Sequence, residues 1–170
     1  MGTKTMLMVR VIAKDSTTSG SISQMTASLL ANKAQLLRCS HNRFTLQAAD
    51  GKSGIDTKIE NGVVEITLPN TKVSVGDSVM KNLLIDEINR QFAVSSPDQL
   101  SNHVMICLPK GTMTRSYAYL NHWLSVMNDN SCLHPGTWIH ELGHNLYLHH
   151  SNEGNAEYMD TTGLVSYHHC

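Results

Sequence analysis

The chain lacks the charge that would draw it to a polyanion. Its 170 residues carry 13 Lys+Arg against 14 Asp+Glu, a formal net charge of -1, with no Lys/Arg cluster. It therefore has no electrostatic footprint for nucleic acid or an anionic membrane surface, and neither partner is expected. It also lacks any run near the roughly 18 apolar residues of a spanning helix, which excludes membrane insertion from the expectations. The start has no charged segment leading into an apolar core and a small-residue cleavage site, so the chain reads as soluble. Internal repeats and low-complexity tracts are absent. The four cysteines, Cys39, Cys107, Cys132 and Cys170, include no close pair of the CxxC kind that marks a zinc site. They allow three disulfide pairings, or free thiols in a reducing compartment. What the chain does have is 41% apolar residues, enough for one core, and ten histidines, seven of them from position 134 onward.

The order of elements is mixed. Residues 5–13 form a short apolar run that suits a buried strand. Ser21 and Gln24 have capping-box spacing ahead of Ile22, Met25, Leu29, Leu30, Leu36 and Leu37, which recur at helical intervals. Residues 44–47 and 63–68 alternate like half-buried strands, and 50–62 is polar enough for a loop. Asp77 is placed to cap a helix carrying Val79, Leu83, Leu84, Ile88 and Phe92. Residues 103–108 and 117–126 read as two further strands. Pro135 then opens a last helix, which holds the clustered histidines. The pattern predicts an α/β or α+β fold in a single domain.

That last helix contains HELGH, with His140, Glu141 and His144. Residues four apart share a helix face, so both imidazoles can bind one metal while Glu141 reaches toward a water there. A third histidine, His150, lies six positions after His144. An unbroken helix would carry it about 9 Å further along the axis, too far to share the metal. A sharp turn near Tyr147 would instead bring His150 back, giving three nitrogen ligands and an open fourth position, the pattern of a catalytic zinc.

The segment WIHELGHNLYLHHSNEGNAEYMDTTGLVSY resembles the gametolysin family of metzincin zinc peptidases, through its HExGHN, HSNE and EYxD elements. TMLMVRV, HVMICLPKGT and YAYLNHWLSVMND resemble the corresponding upstream parts of that catalytic domain. The resemblance implies an α+β fold with an α/β-like upper subdomain: a zincin-type mixed twisted sheet with an active-site helix carrying HExxH. It implies one metallopeptidase catalytic domain over 1–170 that continues past Cys170. His140, His144 and His150 would be the Zn2+ ligands and Glu141 the general base. The function implied is endopeptidase action on protein or glycoprotein substrates of the extracellular matrix or cell wall, by a secreted enzyme, monomeric by default. That compartment would favour disulfides.

Two departures stand out. Metzincins usually have Gly or Asn where this chain has Tyr147, because the helix ends there at positive φ. An ordinary side chain there costs about 1–2 kcal/mol, a tolerable strain. The aligned turn GLVSY has Leu164 and Val165 where the family has a methionine beneath the metal, and Tyr167, two positions on, would donate a hydrogen bond to the developing oxyanion. These departures leave open a second reading, a catalytically inactive zinc-binding module. The other histidines have ordinary roles by default: His149 fits no ligand spacing, His168 and His169 read as solvated, and His41, His103, His122 and His134 as polar or capping positions. Glu153, Glu157 and Asp160 are weaker ligand candidates than His150, and Asn145 reads as helix surface. The methionines of the first strand and Met25, Met80 and Met105 read as core filler.

Overall fold

The computed structural model describes residues 2–150. Strand β1 (Thr3–Ala13) runs through the middle of a six-stranded sheet. Along one edge it pairs in parallel first with β2 (Thr45–Ala48) and then with β3 (Val63–Leu68). Along the other it pairs in parallel with β4 (His103–Leu108). Strand β4 pairs in parallel with β6 (Leu124–Asn128), and β6 carries the two-residue strand β5 (Tyr117–Ala118) as an antiparallel edge. The sheet is thus mixed, and with three α-helices it gives a mixed α/β fold of the expected α+β kind.

Both faces of the sheet are covered, which is why β1 is apolar at consecutive positions rather than at alternate ones. Met6 and Met8, with Met105, Cys107 and Met127, face α1 (Ile22–Cys39) and α3 (Pro135–Asn145) through Met25, Leu29, Trp138 and Leu142. Leu7, Val9 and Val11, with Val104, Ile106 and Val126, face α2 (Asp77–Phe92) through Met80, Leu84 and Ile88. The methionines expected in the core are there, and those of the strands gather on the α1/α3 face. Flexible thioethers fill the irregular space under two helices, while branched side chains pack the other face.

The capping box at α1 is formed: Gln24 N donates to Ser21 Oγ at 3.2 Å, and Ser21 N donates to Gln24 Oε1 at 3.0 Å. Its buried stripe is Met25, Leu29, Asn32 and Leu36, while Ile22 and Leu30 face solvent. Three expectations need correction. Asp77 is not the cap of α2: Gly76 is, and the Asp77 carboxylate sits in the first turn, where the helix dipole favours an anion and the Tyr117 hydroxyl donates to it at 3.2 Å. Val79 and Leu83 are exposed, because the buried stripe of α2 runs through Met80, Leu84, Ile88 and Gln91. Residues 117–126 are not one strand. Asn121 adopts φ 50° and the chain folds back on itself, so that Tyr117 pairs with Val126.

The loop between β2 and β3 closes on Gly62, at φ 78°, whose carbonyl accepts from Met8 N at 2.8 Å. A Cβ there would collide with Leu29 and lie 2.9 Å from Ala48 Cβ, so only glycine lets the loop meet β2 and α1.

The entry to α3 is stapled to the sheet. Cys107 of β4 and Cys132 form a disulfide spanning 25 residues, with Cα atoms 6.1 Å apart. Cys39 is also disulfide-bonded. Between Cys107 and Cys132 in sequence, the buried carboxylate of Asp129 accepts from Ser19 N and Ser19 Oγ, each at 2.8 Å. The Cys107→Ala/Cys132→Ala double variant should lose about 3–4 kcal/mol of stability in urea unfolding, the loop-closure value for a ring of that size.

His103 of β4 is 6% exposed, and neither ring nitrogen has a hydrogen-bond partner among the described residues. Burial, with a smaller effect from the Lys4 ammonium, pulls its pKa from 6.5 down to about 4. Between those two values the unfolded chain binds a proton here that the folded chain does not. Stability is therefore fully present above pH 6.5 and falls as pH drops toward 4, by about 3 kcal/mol from this residue. Stability curves across pH 4–7 should show a shallower acid loss for His103→Leu than for the native chain.

Candidate metal centre

Helix α3 starts with Pro135 at its first position, where a missing N–H costs nothing. Its inner stripe of Trp138, Leu142 and Asn145 packs inward, with Trp138 and Leu142 fully buried. That packing turns the face carrying His140, Glu141 and His144 to an open cleft of about 770 Å³. The other wall of the cleft is the segment Thr114, Arg115, Ser116, Tyr117 and Ala118, and Ser131 and Thr137 also line it.

The helix ends in a Schellman arrangement. Tyr147 N donates to His144 O at 3.0 Å and Leu148 N to Gly143 O at 2.9 Å, with Tyr147 at φ 71°. The chain therefore reverses where the sequence required it to, and His150 returns to the cleft. Its Nε2 lies 3.1 Å from His144 Nε2, which lies 3.2 Å from His140 Nε2. The three form the one group of at least three potential ligand side chains found among the described residues. His149 points its ring at Tyr147 instead, with centroids 5.5 Å apart.

The spacing fits a shared cation. Tetrahedral zinc with Zn–N bonds of about 2.0–2.1 Å places ligand nitrogens about 3.3 Å apart. Hydrogen bonding alone accounts for it poorly. His144 Nδ1 lies 2.9 Å from Leu148 O, and a carbonyl can only accept, so in the neutral ring the proton is on Nδ1. His144 Nε2 then has one lone pair and two neighbouring nitrogens. A metal can receive a lone pair from all three rings. The Leu148 carbonyl also orients the His144 ring, as second partners of metal-binding imidazoles do.

Glu141 is 5% exposed and lines the same cleft without a hydrogen bond or ion pair among the described residues. Burial raises its pKa to about 7. A carboxyl with that pKa can both take and give a proton near neutrality.

Asn145 was not legible as part of this assembly. Rather than lying on the helix surface it is 4% exposed, and its amide donates to Tyr119 O at 3.0 Å and Leu124 O at 2.9 Å. It thereby clamps α3 to the strands of the far wall, together with Asn121 N, which donates to His144 O at 2.9 Å. The available signal was periodicity, since position 145 continues the stripe of 138 and 142. The cleft wall at 114–118 carried no comparable signal. Of the remaining histidines, His122 Nδ1 accepts from Leu124 N at 3.2 Å, His134 precedes α3 without a side-chain cap, and His103 is a core residue rather than a polar surface one. Tyr167, the turn at Leu164 and Val165, Glu153, Glu157, Asp160, His168, His169 and Cys170 lie outside the described residues.

No protein-family model and no curated protein matches the chain.

Tyr147 is 62% exposed, so replacing it removes backbone strain without emptying a core site. Tyr147→Gly should gain about 0.5–1 kcal/mol, and Tyr147→Val, β-branched in the same left-handed position, should lose at least about 1 kcal/mol. Denaturant midpoints of the two variants against the native chain check this.

Proposed function

We propose that the chain is a zinc-dependent endopeptidase of the gametolysin type, secreted to act on proteins of an extracellular matrix or cell wall. The observation that carries this reading is the convergence of His140, His144 and His150 beside the buried Glu141, unpaired among the described residues, in an open cleft. The Cys107–Cys132 disulfide suits the oxidising compartment that the reading assigns.

His140, His144 and His150 would hold the metal through Nε2. Bound there, zinc supplies Lewis acidity toward a carbonyl oxygen and lowers the pKa of a water. Glu141 does the proton work: it accepts a proton from the attacking water and delivers it to the nitrogen of the leaving amine. Its burial matters for both halves. A carboxylate in free solution is too weak a base to take the proton readily, and once protonated too strong an acid to hold it until the amine is ready.

The purified chain should retain about one zinc, and His144→Ala should lose both metal and cleavage of a mixed peptide library. Glu141→Gln should keep the zinc and lose at least about a hundredfold in turnover. Metal analysis alongside the cleavage assay decides the matter. A chain that cleaves equally well with Gln at 141, or in excess chelator, is not this enzyme. A chain that holds zinc and cleaves nothing is not an enzyme of this kind.

A further inference from the structure

Among the described residues, Arg115 is the one lysine or arginine lining the cleft that holds His140, Glu141, His144 and His150. Its neighbours there are hydroxyl-bearing or small: Thr114, Ser116 and Ala118 on the same wall. Arg115 is exposed and makes no hydrogen bond or ion pair among the described residues. Arg10 and Arg90, by contrast, are bound to Glu65 and Glu87. Asp77, the acid that β5 does reach, accepts from the Tyr117 hydroxyl. The backbone around Arg115 is fixed on both sides. Asn128, at the end of β6, donates its side-chain amide to Thr114 O at 3.3 Å and its backbone N–H to Ser116 Oγ at 3.0 Å. A guanidinium with no partner among the described residues, mounted on a pinned segment whose other residues are uncharged, is available to a planar anion.

We infer that Arg115 makes the enzyme prefer substrates with a side-chain carboxylate in the stretch of peptide that the cleft holds. The inference rests on the peptidase reading above and deepens it by naming a substrate class. An Asp or Glu side chain can meet the fork of the guanidinium with two oxygens. A lysine or arginine there would be repelled, because the wall carries no acid to neutralise Arg115.

The test uses the zinc-loaded chain and peptides identical except for Glu, Gln or Lys at positions flanking the cut, each with a free or an amidated C-terminus. The native chain should cleave Glu peptides about five- to tenfold better than Gln peptides in kcat/KM, mostly through KM, the range for a partly exposed charged hydrogen bond. Arg115→Gln should bring the two to parity in kcat/KM. Arg115→Lys should keep part of the preference, and Arg115→Glu should turn it toward Lys peptides, an inversion that a structural role would not give. Equal cleavage of Glu and Gln peptides by the native chain, or a preference that survives in Arg115→Gln, overturns the inference. A preference that follows the free C-terminus and ignores the side chain overturns it as well. Failure of the peptidase reading looks different, since then no peptide of any charge is cut. The affinities of the same peptides, measured by fluorescence anisotropy, then decide, and equal binding of Glu and Gln peptides overturns the assignment of Arg115.

Discussion

One more turn of α3 would take His150 away from His140 and His144, and the backbone reversal at Tyr147 is what prevents it. Two hydrogen bonds close the reversal, Tyr147 N to His144 O and Leu148 N to Gly143 O. Each takes up a carbonyl that the end of a helix leaves unpaired. The same turn delivers the Leu148 carbonyl to His144 Nδ1, so the element that returns the third histidine also fixes the tautomer of the second. A strained tyrosine is thus tied to three consequences at once: the end of the helix, the return of His150 and the direction of the His144 lone pair. Strain of about 1–2 kcal/mol persists where the surrounding bonds over-determine the conformation, as they do here.

The reversal is useful only if α3 itself stays put, and the fold secures it at both ends. At its start, the Cys107–Cys132 disulfide and the Asp129 carboxylate hold the preceding turn to β4 and to the loop after β1. Along its length, Trp138 and Leu142 pack into the methionine-rich face of the sheet. At its end, Asn145 bridges to Tyr119 O and Leu124 O, and Asn121 N returns a bond to His144 O. The last three contacts cross from the helix to the β5–β6 turn, so the two walls of the cleft are built as one unit. An apolar side chain in place of this buried amide would remove the bond to Tyr119 O and leave Leu124 O with Tyr119 N alone, at 3.2 Å.

How much of this could be read beforehand follows from the range over which each signal acts. The histidine spacing, the capping box at Ser21, Pro135 and the need for positive φ at 147 are properties of a few adjacent residues, and each lies where local rules put it. The break in residues 117–126 was hidden because Tyr, Leu and Trp suit a strand on both sides of it. The fold back at Asn121 is settled by pairing with Val126 and by the bond to His144 O, both tertiary. Asp77 and Asn145 have side chains that serve equally well at a cap, on a surface or in a clamp, and the partners that decide, Tyr117 and the carbonyls of residues 119 and 124, are distant in sequence. The pairing of Cys107 with Cys132 was one of three possibilities, fixed only when β4 lies beneath the entry to α3. His103 looked polar by residue type. Its place on a strand covered from both sides made it core.

Two features of the candidate centre would favour a bound cation. Glu141 is buried without a partner among the described residues, and with its carboxyl held up to about 7 the folded chain loses stability as pH rises from 4.5 to 7, by about 3 kcal/mol. The three Nε2 atoms lie 3.1 and 3.2 Å apart between neighbours, so the one lone pair on His144 Nε2 faces two other ring nitrogens. A divalent cation at their common point would attract the Glu141 carboxylate and receive the three lone pairs, so binding and folding are linked. A ligand that binds only the folded chain stabilises it by RT ln(1 + [L]/Kd). Two of the three rings are held by the fold itself, since His140 is buried in α3 and His144 Nδ1 is bound to the Leu148 carbonyl. The packing of α3 against the sheet holds these groups together, so a cation bound there would stabilise the helix and the turn that follows it.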